Sequence, residues 1–308
     1  MHALSEAILA MPASDPLARH RATVRARLQH AGQAAAGHGS ISWTINREMI
    51  VVAGWGRAIL LQLAHPSVAA AVHHHSTFRG SLRASVRRLH ATVGAMLSIT
   101  FGDTEQMVAA AAGINAIHDR IRPPAPGLRR TSGEPSPENQ DYSAHDPELQ
   151  RWVHATLLDS VPLAYQRFVA PLTRDQRDRY CAESVIMEPL LGMPAGWLPR
   201  NSVALDAYMR GMLAGNTLVV TDTSRALANA LLYPPRWRLA WPAFRVLQLL
   251  TIGTLPPAIR QAYGFEWRPH DERALARWTA VLRMSRRMLP GIAREWPIAR
   301  RRVAATSC

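Results

Sequence analysis

The chain has 308 residues, 48% of them hydrophobic and 19% charged, and carries a formal charge of +14 from 36 basic and 22 acidic side chains. Every one of those basic residues is an arginine, which excludes a Walker A phosphate loop, a Schiff-base enzyme and a lysine general base. Two cysteines, Cys181 and Cys308, exclude a CxxC motif, a Cys-rich zinc site and a disulfide framework.

Glu6 interrupts the short apolar stretch from Ala3 to Met11, and no basic segment precedes it, so no signal peptide is read there. No window reaches about 18 uninterrupted apolar residues, the length a spanning helix needs. The expectation is a soluble, cytoplasmic protein with the option of membrane association. Residues 1–40 read as a basic N-terminal arm, 41–270 as one helical domain and 271–308 as an arginine-rich C-terminal segment.

In chain order, apolar residues recur at helical spacing from Ile45, and Pro66 ends or kinks the run after His65. A second helix starts at Pro66. A third runs from Leu82 to Phe101 and stops at Gly102. Asp103 is then an N-cap with Gln106 as its capping-box partner, opening a helix that runs to Ile121. Pro123 to Tyr142, with five prolines, reads as a surface loop or lid. Further helices are expected over Pro147–Tyr165, Thr173–Leu190, Asn201–Ala214, Thr221–Leu232 and Trp241–Ile252. No useful stretch alternates with period two, so the fold class is all-α, a single helical domain around a cofactor pocket.

HExxH, ExxH pairs and GxSxG are all missing. What remains is histidine. His118 lies late in an Ala-rich helix, with Ile114, Ile117 and Ile121 on its side and Arg122 one turn on. A neutral imidazole in an apolar wall beside a cation suits haem: a nitrogen for iron and a guanidinium for a propionate. It equally suits a core histidine bonded to a carbonyl. Arg88 and Thr92 make a second such pair, readable as a propionate partner or as a structural ion pair. His65, at a helix end, and His154, on a core helix, are candidates for a catalytic role. Of His73, His74 and His75 at most one faces inward, because consecutive helical residues point about 100° apart. His2, His20, His30 and His38 read as arm residues. A charge of +14 attracts polyanions without specificity, and no sequence-reading nucleic-acid motif is present.

An ordered set of fragments resembles a known family. It includes Asn46-Arg47-Glu48, Gly56 to Pro66, His75-Ser76, Arg88-Leu89-His90-Ala91-Thr92 and Phe101-Gly102-Asp103. His118 to Arg122, Tyr142 to Pro147, Trp152 to Leu157 and Leu255 to Gly264 follow. The set is similar to the domain shared by mpaB-type oxygenases and latex-clearing rubber oxygenases, over roughly Trp43 to Trp267. The resemblance implies an all-helical fold holding one haem b, with His118 as the protein ligand to iron and Arg88, Thr92 and Arg122 beside the cofactor. It implies an oxygenase that cleaves a carbon–carbon double bond with dioxygen, with His65, His90 and His154 as candidates to hold bound oxygen. The rubber enzymes carry Arg-x-x-Lys-Thr; here Ala91 stands in the lysine position. The mpaB-like branch, with a smaller lipid or terpenoid substrate, is therefore the closer expectation.

Two alternatives accompany it. One is a non-catalytic helical protein without iron that binds lipid or an anionic surface, and the basic ends allow peripheral contact with an anionic membrane in either case. The other is a non-haem metalloenzyme using His65 and the run from His73 to His75.

Overall fold

The computed structural model describes residues 15–33, 36–75, 82–121, 142–233 and 241–306, with the backbone alone at 82–90, 241–243 and 302–306. Among them the chain is helical, and its one strand-like feature is an isolated antiparallel bridge between Glu48 and Glu295. The expected loop or lid over Pro123 to Tyr142 lies, except for Tyr142, outside the described residues.

Asp15 accepts from the N–H groups of Leu17 and Ala18, and Gly32 closes helix α1 (Pro16–Ala31) in the left-handed region. The segment read as an arm thus contains a helix. Its Val24 and Leu28 pack against Met107, Val108 and Ala111.

Helix α2 (Ile41–Asn46) is separated by a 3-10 turn (Met49–Val51) from α3 (Val52–Leu63). The apolar spacing had suggested one run from Ile45 to His65. The run breaks at Arg47 and Glu48, where the C-terminal segment claims the backbone: the Trp296 N–H donates to the Arg47 carbonyl at 3.0 Å, beside the Glu48–Glu295 bridge. Pro66 does end α3, and α4 (Pro66–His75) leaves at 103° to the preceding run.

Helix α5 (Leu82–Phe101) and the capping box of Asp103 and Gln106 at the start of α6 (Thr104–His118) agree with the sequence reading. Helix α7 (Pro147–Phe168) follows. The expected helix from Thr173 to Leu190 is divided into α8 (Arg174–Glu183), a 3-10 turn (Ser184–Ile186) and α9 (Met187–Leu191). Pro189 explains the division, since it has no N–H to donate and would crowd the carbonyl of Val185 in a continuous helix. The chain ends with α10 (Ser202–Ala214), α11 (Asp222–Leu232), α12 (Trp241–Gly253), α13 (Pro257–Ala262), α14 (Pro269–Met288), α15 (Gly291–Arg294) and α16 (Pro297–Thr306).

The centre of the fold is α3 against α7. A Cβ at Gly54 would stand 2.6 Å from the Ser160 carbonyl oxygen, and one at Gly56 would stand 2.8 Å from Thr251 Oγ1 on α12. Glycine at these positions lets α3 lie close to both neighbours. Leu60, Leu61, Trp152, Ala155, Leu158 and Val161 fill the space around this contact. Each buried leucine or valine there contributes about 1.5–3 kcal/mol relative to exposure. Buried Arg57 sits among the same helices, donating to Asp159 Oδ2 at 2.5 Å, Ser160 Oγ at 2.6 Å and the Thr254 carbonyl at 2.8 Å.

No single helix among the described residues is long and apolar enough to cross a membrane.

Candidate active site

Helix α6 ends on His118, whose ring is half-buried and whose Nδ1 is buried without a hydrogen-bond partner. Burial, reinforced by the neighbouring His145 and opposed by Asp119, pushes its pKa down to about 4. The imidazole is neutral at physiological pH. The apolar wall expected around it needs correction: Ile117 is 57% exposed, because it lies about 100° around the helix from its neighbour. Ile114 and Ile121 are half-buried.

The stretch from Tyr142 to Asp146 supplies the surroundings that the helix itself does not. The His145 ring meets the His118 ring edge-on, with centroids 5.7 Å apart. His145 Nε2 lies 2.7 Å from Asp119 Oδ1, and the other carboxylate oxygen lies 2.9 Å from His20 Nε2 on α1. Burial works against ionisation of Asp119, but the His145 hydrogen bond and the His20 charge hold its pKa below the usual carboxylate value. Tyr142 is buried, with its hydroxyl 2.8 Å from His74 Nδ1 and its ring against His74 and His75. Asp146 caps α7 by accepting from the Glu148 N–H.

Asp146 also links this stretch to His65. That side chain sits at the corner between α3 and α4, half-buried, with its Nδ1 buried and unpartnered. Burial lowers its pKa, and the charge of Asp146 offsets part of the effect. Residues 142–146 thus adjoin the α3–α4 corner, the end of α4 and the end of α6. His154 lies about two turns further into α7. It is 9% exposed, and burial pushes its pKa down to about 4.

The other expected cofactor residues are placed less fully. Thr92 is exposed on α5; the side chain of Arg88 on the same helix, and all of Arg122, lie outside the described residues. The sequence reading missed His20 and His145. His20 lies in the segment whose composition reads as an arm, and only the docking of α1 beside α6 brings it to Asp119.

A comparison of unpartnered nitrogens isolates the two imidazoles. Among the described residues, the buried side-chain nitrogens without a hydrogen bond belong to Trp43, Trp55, Trp152, Trp296, four arginines, His65 and His118. Indole and guanidinium nitrogens only donate, whereas a neutral imidazole offers a lone pair to a metal or a proton acceptor. No three His, Cys, Asp or Glu side chains among the described residues gather as a metal-binding group, so His65 and the His73 to His75 run do not form the non-haem site considered from sequence.

Residues 43–284 match the family model described as ER-bound oxygenase mpaB/B'/Rubber oxygenase, catalytic domain. The chain belongs to this family. As a member of the mpaB/rubber oxygenase catalytic-domain family it is related to oxygenases, and His65, His118 and His154 all fall inside the matched stretch. Uncharacterized proteins of Mycobacterium tuberculosis and Mycobacterium bovis are each 26% identical to it over 235 residues, covering 75% of this chain and 87% of each relative. No solved structure matches the chain significantly.

Proposed function

We propose that this family member is a haem b oxygenase that cleaves a carbon–carbon double bond in a small hydrophobic, lipid- or terpenoid-like molecule, with His118 as the protein ligand to iron. The observation that carries the reading is the half-buried, neutral imidazole of His118, whose Nδ1 is buried without a hydrogen-bond partner, inside the matched oxygenase stretch. Its donor chemistry fits the group, because ligation needs a deprotonated nitrogen and this one stays deprotonated well below neutral pH. When bound, haem would supply dioxygen activation for cleavage of the alkene to two carbonyl products.

The chain's own residues orient and exclude. The carboxylate of Asp119 holds His145 against the His118 ring from one side. His65 and His154 are neutral, weakly solvated groups that can hold or pass a proton near the reacting end. Ala91 places no amine where the rubber enzymes carry lysine.

Purified protein, as isolated or titrated with haemin, is expected to show a Soret band at one haem per chain. His118→Ala is expected to lose that band or shift it, with helical circular dichroism unchanged. Equal haem content and an identical spectrum in His118→Ala would overturn the assignment.

A further inference from the structure

Helix α14 is held to the body of the protein by one face only. Leu275 and Leu282 pack with Phe168 and Leu250, and the Arg283 guanidinium donates to the carbonyls of Arg167 at 3.0 Å and Gln166 at 2.6 Å at the end of α7. The opposite face has no such partner. Val281, Met284 and Met288 recur at the spacing of one helical face and are 43%, 62% and 79% exposed; Ile292, on the short helix that follows, is 67% exposed. Exposed apolar groups on a monomer are ordinarily scattered, so three on one helical face rimmed by polar residues mark a contact surface.

The rim is cationic. Arg277 and Arg287 are exposed on the outer side of the same helix, and neither has an acidic partner among the described residues. The C-terminal arginines are not uniformly spare in this way: Arg286 and Arg294 both converge on buried Glu48. Arg277 and Arg287 are thus among the arginines of this stretch without an acidic partner among the described residues, and they lie on the helix that carries the apolar strip. A helix with protruding apolar side chains between unpaired guanidinium groups is suited to lie in the plane of a membrane, apolar groups among the acyl chains and cations among anionic headgroups. A second copy of the chain fits poorly, because the same unpaired arginines would face one another in a protein already at +14.

We infer that the outer face of α14 docks on the surface of an anionic phospholipid membrane. This does not depend on the haem assignment. A hydrophobic substrate dissolved in the bilayer would then reach the enzyme without crossing water.

Flotation of the full chain with phosphatidylcholine vesicles, with and without about one third phosphatidylglycerol, tests the inference. Binding is expected to the anionic vesicles and to be weak on the neutral ones. Arg277→Glu/Arg287→Glu should weaken it by roughly thirtyfold or more, at about one kcal/mol for each cation removed from the surface, and Met284→Glu/Met288→Glu, which sets two anions among the headgroups, should weaken it as well. The control Arg200→Glu/Arg210→Glu makes the same change in net charge at exposed positions on other elements and should retain binding. Equal loss in both arginine pairs would show charge attraction without a docking face and overturn the inference. So would undiminished binding by the methionine variant, or a dimer in sedimentation velocity that Met288→Glu dissociates.

Discussion

The contact between α3 and α7 and the histidine site beside residues 142–146 differ in how they treat the group that could carry charge or a lone pair, although Trp55 and Trp152 leave indole N–H groups unpaired in the first as well. In the first, one buried guanidinium has three oxygen acceptors on two neighbouring elements. In the second, two buried imidazole nitrogens have none. A core that satisfies its most expensive buried group so completely shows that the fold can place partners where stability requires them. The open nitrogens of His65 and His118 are then better understood as valences kept for something bound than as packing errors.

The largest effect expected from this contrast is at Arg57. Arg57→Leu removes the cation and leaves Asp159, itself partly exposed, and the Thr254 carbonyl without their donor. Breaking a buried pair from one side costs about 3 kcal/mol or more. Urea unfolding followed by circular dichroism should show the midpoint fall accordingly. An unchanged midpoint would mean that α3 and α7 are held by apolar contact alone.

A second effect follows from acid. His118 and His154 both have folded-state pKa values pushed down to about 4 by burial. Below an unfolded value of about 6.5 the unfolded chain binds protons that the folded chain refuses, so stability rises with pH through this range. The contribution of these groups is complete above about 6.5 and is lost progressively as pH falls towards 4. Stability of the haem-free protein measured from pH 7 to pH 4 should decline, and His154→Leu should make the decline shallower. A slope identical in wild type and His154→Leu would show that water reaches this ring.

How much of this was legible beforehand follows the range of each interaction. The box of Asp103 and Gln106 joins residues three apart, so the start of α6 can be read locally. Pro66 likewise marks its own break. The interruption at Arg47 and Glu48 cannot be read that way, because its cause is the backbone of Trp296 and Glu295 at the other end of the chain. The same holds for the arginine-rich C-terminus, which reads as solvated until Arg286 and Arg294 are seen on Glu48. In the site, His118 stands out by its helix and by the family motif. Its companions His20 and His145 are assembled only when α1 docks on α6 and the segment before α7 returns to the end of that helix. Periodicity also misplaced Ile117, since three isoleucines near one histidine cannot all share its side.

The smallest expected change is the most discriminating between the two regions. If the open valence of His118 serves a ligand, it contributes little to the fold without one. An orphaned buried nitrogen costs about 1–3 kcal/mol, and replacing it by an apolar group of similar size recovers part of that. Loss of the ring contact with His145 works in the other direction, and so does loss of the favourable packing of an imidazole. His118→Leu in the haem-free protein should therefore unfold within about 1 kcal/mol of wild type, or slightly later. The same substitution should abolish the stabilisation that added haemin gives to wild type, because a ligand raises stability only through the state that binds it. Thermal and urea unfolding with and without haemin separate the two quantities. A His118→Leu protein that is strongly destabilised without haemin would place His118 with Arg57, as a structural residue, and erase the distinction between the regions.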